Sequence, residues 1–573
     1  MGLTMPGIVG FGYQNLFHTQ EKSQILRKMQ DLLTHRSFNV KDELFLDSHV
    51  YATRTHTNII QKNPQPYHHK NIYVWFVGEF FNQTELPGVD ITACDSDLSI
   101  LAFLFQQNKD TDFSFLREID GIYAAVIYDS QKQKIHLISD RYGLCHLYWM
   151  IKDNNFVWAS EVKAMLAWPA FTPKIDRQSI EDFFKRGHLL GNRTWFREVK
   201  LLPLGTVLTW DIQEKTLHEY CYWSWDKITP MTGKIDEDEV AEELGRLFVN
   251  AVRRRCTQEK DIGVCLSGGL DSRAILAAMP NRQEPIHAIT FGKRGCDDIR
   301  IASKVAKAKG ARHHVVLLTR KNWLLPRFEG VWLTDGQLNL RDMHIISIYQ
   351  IARKYFTINL SGLLGDAILG GFYIREHWNV IEKITNTGRR FTREGIRLGE
   401  SFIVNREPFF DNKLMEFIML IPESLRKNSY IYNKMLLKKF PEFYESIPWQ
   451  RTSTLISGKP FPKYVEWYRR IKNKCLRELG HIGLIRYSNP YPYADYPDWI
   501  RNEPARSIFE GIITHPNALY PEYIPREMVI QEWRKHLDGE DYSSNLCLYM
   551  TLEIWLQQVF VHKYRLENGF VNL

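Results

Sequence analysis

The hexapeptide Ser267-Gly268-Gly269-Leu270-Asp271-Ser272 joins the apolar run Ile262-Gly263-Val264-Cys265-Leu266 to the apolar stretch from Arg273 to Met279. A buried strand that turns at once into a helix fixes an α/β arrangement locally, and the two glycines let backbone N–H groups approach an anion at the helix N-terminus. Phosphate is the anion such a loop suits. Ser267 and Ser272 supply hydroxyl donors, whereas Asp271, an acid among phosphate oxygens, makes sense with a Mg²⁺ ion between them. The loop differs from a Walker A motif because no Gly-Lys-Ser/Thr follows. Its other reading is an ordinary glycine-rich strand-to-helix turn, which this context disfavours.

The surroundings extend the pattern. Ile286 to Phe291 and His314 to Leu318 read as short strands around a helical Ile299 to Lys309, and strands alternating with helices imply a parallel sheet. Upstream, Val240, Leu244, Leu247, Phe248, Ala251 and Val252 recur at helical spacing, with Asp236 or Asp238 available as an N-cap. The first 215 or so residues are instead rich in short β-branched and aromatic runs, among them Ile72 to Phe76, Tyr123 to Tyr128, Ile135 to Ile138 and Thr206 to Trp210. A domain edge is expected within Asp211 to Lys234. From Phe372 onward the chain reads as mainly helical, ending with Leu546 to Val561.

Composition excludes several classes of function. A net charge of +8 over 573 residues is mild, and no RRM, zinc-finger or helix-turn-helix signature accompanies it, so nucleic acid is not an expected partner. No apolar run approaches the roughly 18–20 residues that span a bilayer, and the first ten residues lack the pattern of a signal peptide. The eight cysteines are dispersed without a C-x-x-C pair, as expected of buried thiols in a reducing cytosol; the expected location is cytoplasmic.

With its flanking segments, the hexapeptide resembles the pyrophosphatase loop of ATP-dependent, AMP-forming enzymes, and the chain as a whole resembles the asparagine synthetase superfamily, which includes β-lactam synthetase and the lasso-peptide cyclases. Met5-Pro6-Gly7-Ile8-Val9-Gly10 is similar to that family's M-C-G-I-V-G opening, and Val77-Gly78-Glu79-Phe80-Phe81-Asn82 to its N-G-E-I-Y-N strand. Asp140 to Gly143 with Leu147-Tyr148, then Trp158 to Ala164, follow its D-x-x-G…L-Y and F-A-S-E-x-K-A patterns. Leu360-Ser361-Gly362-Leu363-Leu364-Gly365-Asp366 to Gly370-Gly371 resembles L-S-G-x-G-x-D-E-x-x-G-G. The resemblance implies an α/β protein. Residues 1–215 would form an N-terminal-nucleophile (Ntn) hydrolase-like αββα sandwich, a degenerate glutamine amidotransferase-like domain. Residues 216–573 would form an adenine-nucleotide α-hydrolase-like (PP-loop ATP pyrophosphatase) synthetase domain with a helical C-terminal part. It also implies ATP and Mg²⁺. Leu266, Ser267, Gly268, Gly269, Leu270, Asp271, Ser272, Thr290, Phe291, Gly292, Ser361 and Gly362 would contact the nucleotide, and Asp271 and Asp366 would hold the metal.

Glutamine-hydrolysing members carry a Cys directly after the initiator Met. Pro6 occupies that place here, no cysteine precedes Cys94, and Val77 replaces the Asn of N-G-E. Glu79 and Asp97 look like remnants of the amino-acid-recognition site, now structural. The resulting expectation is an amide ligase that works without glutamine hydrolysis, adenylating a substrate carboxylate and coupling it to a substrate amine. Peptide macrolactam, natural-product or glycan tailoring would be its setting; an ammonia-dependent asparagine synthetase and a catalytically silent scaffold are the alternatives. The substrate would be a peptide, amino acid or sugar acid; a partner protein that delivers it and a homodimer are both compatible with the resemblance.

Leu363 and Ala367 stand where relatives have acidic or aromatic acceptor residues. Glu407, in the stretch resembling E-A-R-V-P-F-L-D, is the candidate base, with a structural ion pair to Arg406 or another base as its other reading. Arg451 and Lys459, in the segment after Trp449, are candidate cations for the charge that develops at phosphate. Arg389-Arg390 and Arg469-Arg470 to Lys474 read as solvated helix faces.

Overall fold

The computed structural model describes residues 7–12, 19–92, 94–108, 113–256, 261–370, 379–451, 454–457 and 492–567, with a few isolated positions besides. Two antiparallel sheets build the first half. In one, the strands run in the order Thr216–Cys221, Thr206–Asp211, Lys134–Ser139, Gly121–Asp129, Ile72–Phe80 and Tyr67–His69. In the other, Gly7–Gly12 lies between Asn155–Ala159 and Val50–His56.

Side-chain alternation explains why these sheets stack. Along Ile72–Phe80, Val74, Phe76 and Phe80 face Leu98, Leu101 and Phe105 of the Asp97–Gln107 helix, while Trp75 and Val77 face Ile8, Val50, Ala52 and Trp158 of the second sheet. Ile25, Leu26 and Met29 of the Thr19–Leu32 helix cover the far side of that second sheet, against Val9, Phe11 and Tyr51. Helix, sheet, sheet and helix form the expected αββα sandwich.

In the second half, the Glu237–Arg254 helix begins where the Asp236 carboxylate accepts the N–H groups of Asp238 and Glu239. A parallel sheet follows in the order Arg312–Leu317, His287–Gly292, Ile262–Cys265, Ile358–Leu360 and Val404–Arg406. Chain order therefore runs outward on both sides of Ile262–Cys265, which opens a crevice beyond the carboxyl end of that strand. The C-terminal part is helical, through Tyr496–Arg501, Ala505–Ile513, Arg526–Leu537 and Ser543–Leu556.

The halves share one hydrophobic core. Phe183, Trp195 and Leu201 of the first pack in the same cluster as Trp332, Leu546 and Trp555 of the second. A buried polar seam continues it: Lys163 pairs with Asp335 at 3.0 Å, and His146 with Glu394 at 3.1 Å. Arg389 and Arg390 belong to this seam, which corrects their reading as a solvated face. Each is 1% exposed. The Arg389 guanidinium donates to Gly143 O, Leu202 O and Asn192 Oδ1, and Arg390 donates to Gly191 O and Gln337 Oε1. Sequence counted their charge and missed the carbonyls waiting across the interface. Arg469, Arg470 and Lys474 lie outside the described residues.

The cysteines are free, but only Cys256, Cys296 and Cys547 are buried, whereas Cys221 and Cys475 are exposed. Among the described residues, no helix is long and apolar enough to cross a membrane.

Candidate active site

The crevice holds a cavity of about 390 Å³ lined by Cys265, Ser267, Gly269, Leu270, Asp271, Ser272, Gly362, Trp449, Gln450 and Arg451. Three stretches far apart in sequence thus meet there: the glycine loop, the loop after Ile358–Leu360, and a strap ending at Arg451. The loop keeps its shape through its own serines. Ser267 N–H donates to Ser272 Oγ at 3.0 Å, the two hydroxyls are 3.1 Å apart, and Gly269 N–H donates to Ser267 Oγ at 3.1 Å. Leu266 turns its side chain into the core and takes part through its backbone, its N–H donating to Ile289 O and its carbonyl accepting from Thr290 Oγ1.

Asp271 opens the Asp271–Ala278 helix, and its Oδ1 accepts from the Tyr432 hydroxyl at 2.8 Å. Gly362 lies so close that a Cβ there would sit 2.8 Å from Ser272 N, and one on Gly365 would sit 2.7 Å from Asp271 Cγ. The backbone of Ser361 to Gly365 is therefore laid against the Asp271 carboxylate, with Ser361 N–H fastened to Arg406 O. Asp366 follows on the short Gly365–Leu369 helix, but its side chain lies outside the described residues. The Asp271 carboxylate and the Ser267 and Ser272 hydroxyls at the cavity wall are oxygen donors of the kind that suits a hard cation. Among the described residues no group of three or more His, Cys, Asp or Glu side chains forms a metal cluster.

Thr290, Phe291 and Gly292 end the neighbouring strand without lining this cavity. Thr290 is 1% exposed and holds the sheet edge to edge, while the Phe291 ring stacks on His344 with centroids 5.1 Å apart. Arg451 is exposed at the cavity wall, and Lys459 lies outside the described residues.

Glu407 is elsewhere. It is 1% exposed on the side facing the first domain, 3.6 Å from Arg393, with Oε1 unpartnered by any hydrogen bond, and burial pushes its carboxyl up to about 8. The cation nearest its carboxyl is thus Arg393. Arg406 instead makes a bidentate pair with Glu79 at 2.6 and 2.8 Å. Asp97, pushed up to about 7 by burial, accepts from Gln61, Gln83 and the Phe80 N–H.

Sequence reasoning passed over several residues that build the site. Asp298, at the start of the Asp297–Lys309 helix, accepts the Gly268 N–H at 3.1 Å, and burial raises its carboxyl above the ordinary range. Tyr444 O–H donates to Leu270 O at 2.8 Å. Asp297-Asp298 after a strand end was the one readable signal.

Comparison with known proteins agrees with this geometry. A glutamine amidotransferase domain model matches residues 5–223, and an asparagine synthase model matches residues 243–397. The glutamine-hydrolyzing asparagine synthetase of Gallus gallus is 23% identical over 444 residues, 71% of this chain and 76% of that one. Glutamine-hydrolyzing asparagine synthetase 2 of Bacillus subtilis is 22% identical over 501 residues, 72% of this chain and 66% of that one. The chain spans 59% of a relative from Methanocaldococcus jannaschii. The solved allosteric regulatory enzyme of purine biosynthesis, at TM-score 0.27 and 15% identity over 54% of this chain and 80% of that one, is too distant to argue from.

These matches overturn the expectation of a ligase that dispenses with glutamine hydrolysis. The amidotransferase model runs through the whole first half, and the matching asparagine synthetases are named as glutamine-hydrolyzing. Pro6 and Val77 had been made to speak for an entire domain, whereas its sandwich is complete in sheet order and packing.

Proposed function

We propose, from the premise that this chain belongs to the asparagine synthetase superfamily of amidotransferase domains joined to PP-loop synthetase domains, that it is an ATP-dependent, AMP-forming amide ligase that uses ammonia. The chain through the strand Thr216–Cys221, which closes the first-half sheet and moves the expected boundary at 215 past it, would be the amidotransferase-type part, and the remainder the synthetase. A substrate carboxylate, aspartate in the simplest case, attacks the α-phosphorus of ATP; the α–β bond breaks and pyrophosphate leaves. Ammonia then adds to the acyl-adenylate carbonyl, AMP departs with the bonding electrons, and the amide remains after proton loss.

One observation carries the reading: the Ser267–Ser272 loop lies at the carboxyl end of the central strand, in the crevice where strand order reverses, bordered by Gly362 and Arg451. The N–H groups at the start of the Asp271–Ala278 helix would receive phosphate oxygens. Mg²⁺ bound by Asp271 and Asp366 would neutralise phosphate charge. Arg451 at the cavity wall would meet the charge that grows on the departing pyrophosphate. Holding carboxylate and nucleotide in register supplies much of the rate, since orientation is worth roughly 7–11 kcal/mol.

The test is a product count. The purified chain is given ATP, Mg²⁺ and L-aspartate, with ammonium and glutamine as parallel nitrogen donors, and AMP, pyrophosphate and asparagine are measured. Equal amounts of AMP, pyrophosphate and amide support the reading. Release of ADP and phosphate, or no nucleotide cleavage with aspartate or a panel of other carboxylates, refutes it.

A further inference from the structure

Arg273 follows the glycine loop directly, is 0% exposed, and has no part in the chemistry above. Its Nη1 donates to Ile447 O at 3.0 Å and Phe443 O at 3.4 Å; its Nη2 donates to Pro448 O at 2.9 Å and Gly268 O at 3.2 Å. The guanidinium also lies over the Tyr444 ring, 5.1 Å from its centroid. Carbonyls and a ring, rather than a carboxylate, receive this buried charge, and Nε has no hydrogen-bond partner. Burying a cation so is expensive, and an apolar side chain would complete the helix at lower cost. The arrangement calls for a reason beyond packing.

The reason lies in what the carbonyls belong to. Phe443, Ile447 and Pro448 lead straight into Trp449, Gln450 and Arg451, the third wall of the phosphate cavity. The peptides on both sides of Gly268 are gripped: Asp298 accepts the Gly268 N–H, while Gly268 O accepts from Arg273 and, at 3.2 Å, from Gln450 N–H. Gln450 Nε2 reaches the same Asp298 at 3.4 Å.

We propose that Arg273 is the positioning residue of the phosphate cavity, fastening the strap of residues 443–451 to the glycine loop so that Arg451 stands beside the reacting phosphates. The proposal rests on the nucleotide reading of the site. Without Arg273 the loop keeps its Ser267, Ser272 and Asp298 bonds, whereas the strap loses the donor to its Phe443, Ile447 and Pro448 carbonyls and is left with the weaker hold of Tyr444 on Leu270 O and of Gln450 on Gly268 O and Asp298. Ground-state nucleotide binding therefore survives while the wall that meets developing charge is displaced. A shift of about 1 Å at such a wall costs on the order of 100-fold in rate.

The experiment compares wild type, Arg273→Ala and Arg273→Lys. Equilibrium binding of ATP with Mg²⁺ gives affinity and the fraction of competent sites, and pyrophosphate release gives kcat per competent site. Arg273→Ala is expected to bind ATP within threefold of wild type, to lose about 100-fold in kcat, and to regain part of it with millimolar guanidinium. Arg273→Lys, whose ammonium reaches fewer carbonyls, is expected to lose about tenfold, and it decides the question if the alanine variant fails to fold. Wild-type kcat per site in a folded variant, or binding and kcat lost in equal proportion, overturns the proposal. Wild type that binds no ATP overturns the function proposed above, and the role of Arg273 with it.

Discussion

Substituting Gly362 by alanine tests whether the cavity is assembled as described. The added Cβ would sit 2.8 Å from Ser272 N and 3.0 Å from the carbonyl carbon and Cβ of Asp271. These atoms are the joint between loop and helix, with no flexible side-chain end to swing aside. Opening 2.8 Å to an ordinary contact of 3.4 Å requires a shift of 3.4 − 2.8, or about 0.6 Å. That shift parts the Ser361-Gly362 backbone from Asp271. Overpacking of this kind costs about 1–3 kcal/mol of stability, and a displacement near 1 Å at reacting groups costs about 100-fold in rate. Gly362→Ala is therefore expected to remain folded, with kcat/KM for ATP down about 10- to 100-fold. Gly395→Ala is the control: a Cβ there meets nothing within 4 Å, inside the Arg393–Glu400 helix. It should gain about 0.5–1 kcal/mol and keep its rate. Pyrophosphate release and urea unfolding measured side by side read both effects. Full-rate pyrophosphate release by Gly362→Ala would show that the Ser361-Gly362 loop does not border the phosphates.

Other perturbations reach the remaining parts of the molecule. Tyr432→Phe removes the hydroxyl that orients Asp271, and the Mg²⁺ concentration giving half-maximal pyrophosphate release should rise about tenfold; an unchanged Mg²⁺ titration would detach Asp271 from the metal. Glu407, pushed up to about 8 in the folded chain, keeps its proton between the ordinary glutamate range and pH 8 while the unfolded chain loses it. Its contribution to stability is thus full at low pH and falls as pH rises through 8, so Glu407→Gln should match wild type near pH 4 and unfold at higher urea than wild type at pH 8. Parallel pH profiles for the two proteins would refute that. Arg389→Ala leaves Gly143 O, Leu202 O and Asn192 Oδ1 without their donor and should cost at least about 1–3 kcal/mol in urea unfolding; a loss below about 1 kcal/mol would mean water replaces the guanidinium.

Much of the architecture was legible because it depends on local pattern. Ile262 to Leu266, the glycine loop and the apolar helix after it came out close to Ile262–Cys265 and Asp271–Ala278. Asp236 was one of two capping candidates and does cap. The same logic placed the first-half strands, whose alternation is fixed by the two faces they bury. What escaped was whatever depends on a distant partner. Nothing within Arg389-Arg390 shows that Gly143, Leu202 and Gly191 lie opposite, so charge was taken for exposure. Arg273 looked like an ordinary first-turn residue because the carbonyls it collects lie some 170 positions onward. Asp298 was hidden likewise: its function is to hold a peptide group 30 residues before it. Pro6 and Val77 misled for the opposite reason, since two visible changes were given more weight than the rest of a stretch that the amidotransferase model matches from residue 5 to 223.

The hydrophobic cluster common to both halves has a consequence for anyone who would treat this gene as two cassettes. Cutting between them would strip Trp332, Leu546 and Trp555 of the aromatic neighbours that now shield them from water, and a surface of that kind invites aggregation. A chimera carrying a foreign front module would need to import Phe183, Trp195 and Leu201 in matching geometry before it could stay in solution. Changes to the front module are correspondingly easier to accommodate at its outer, water-facing positions than on the inner face that packs against its partner.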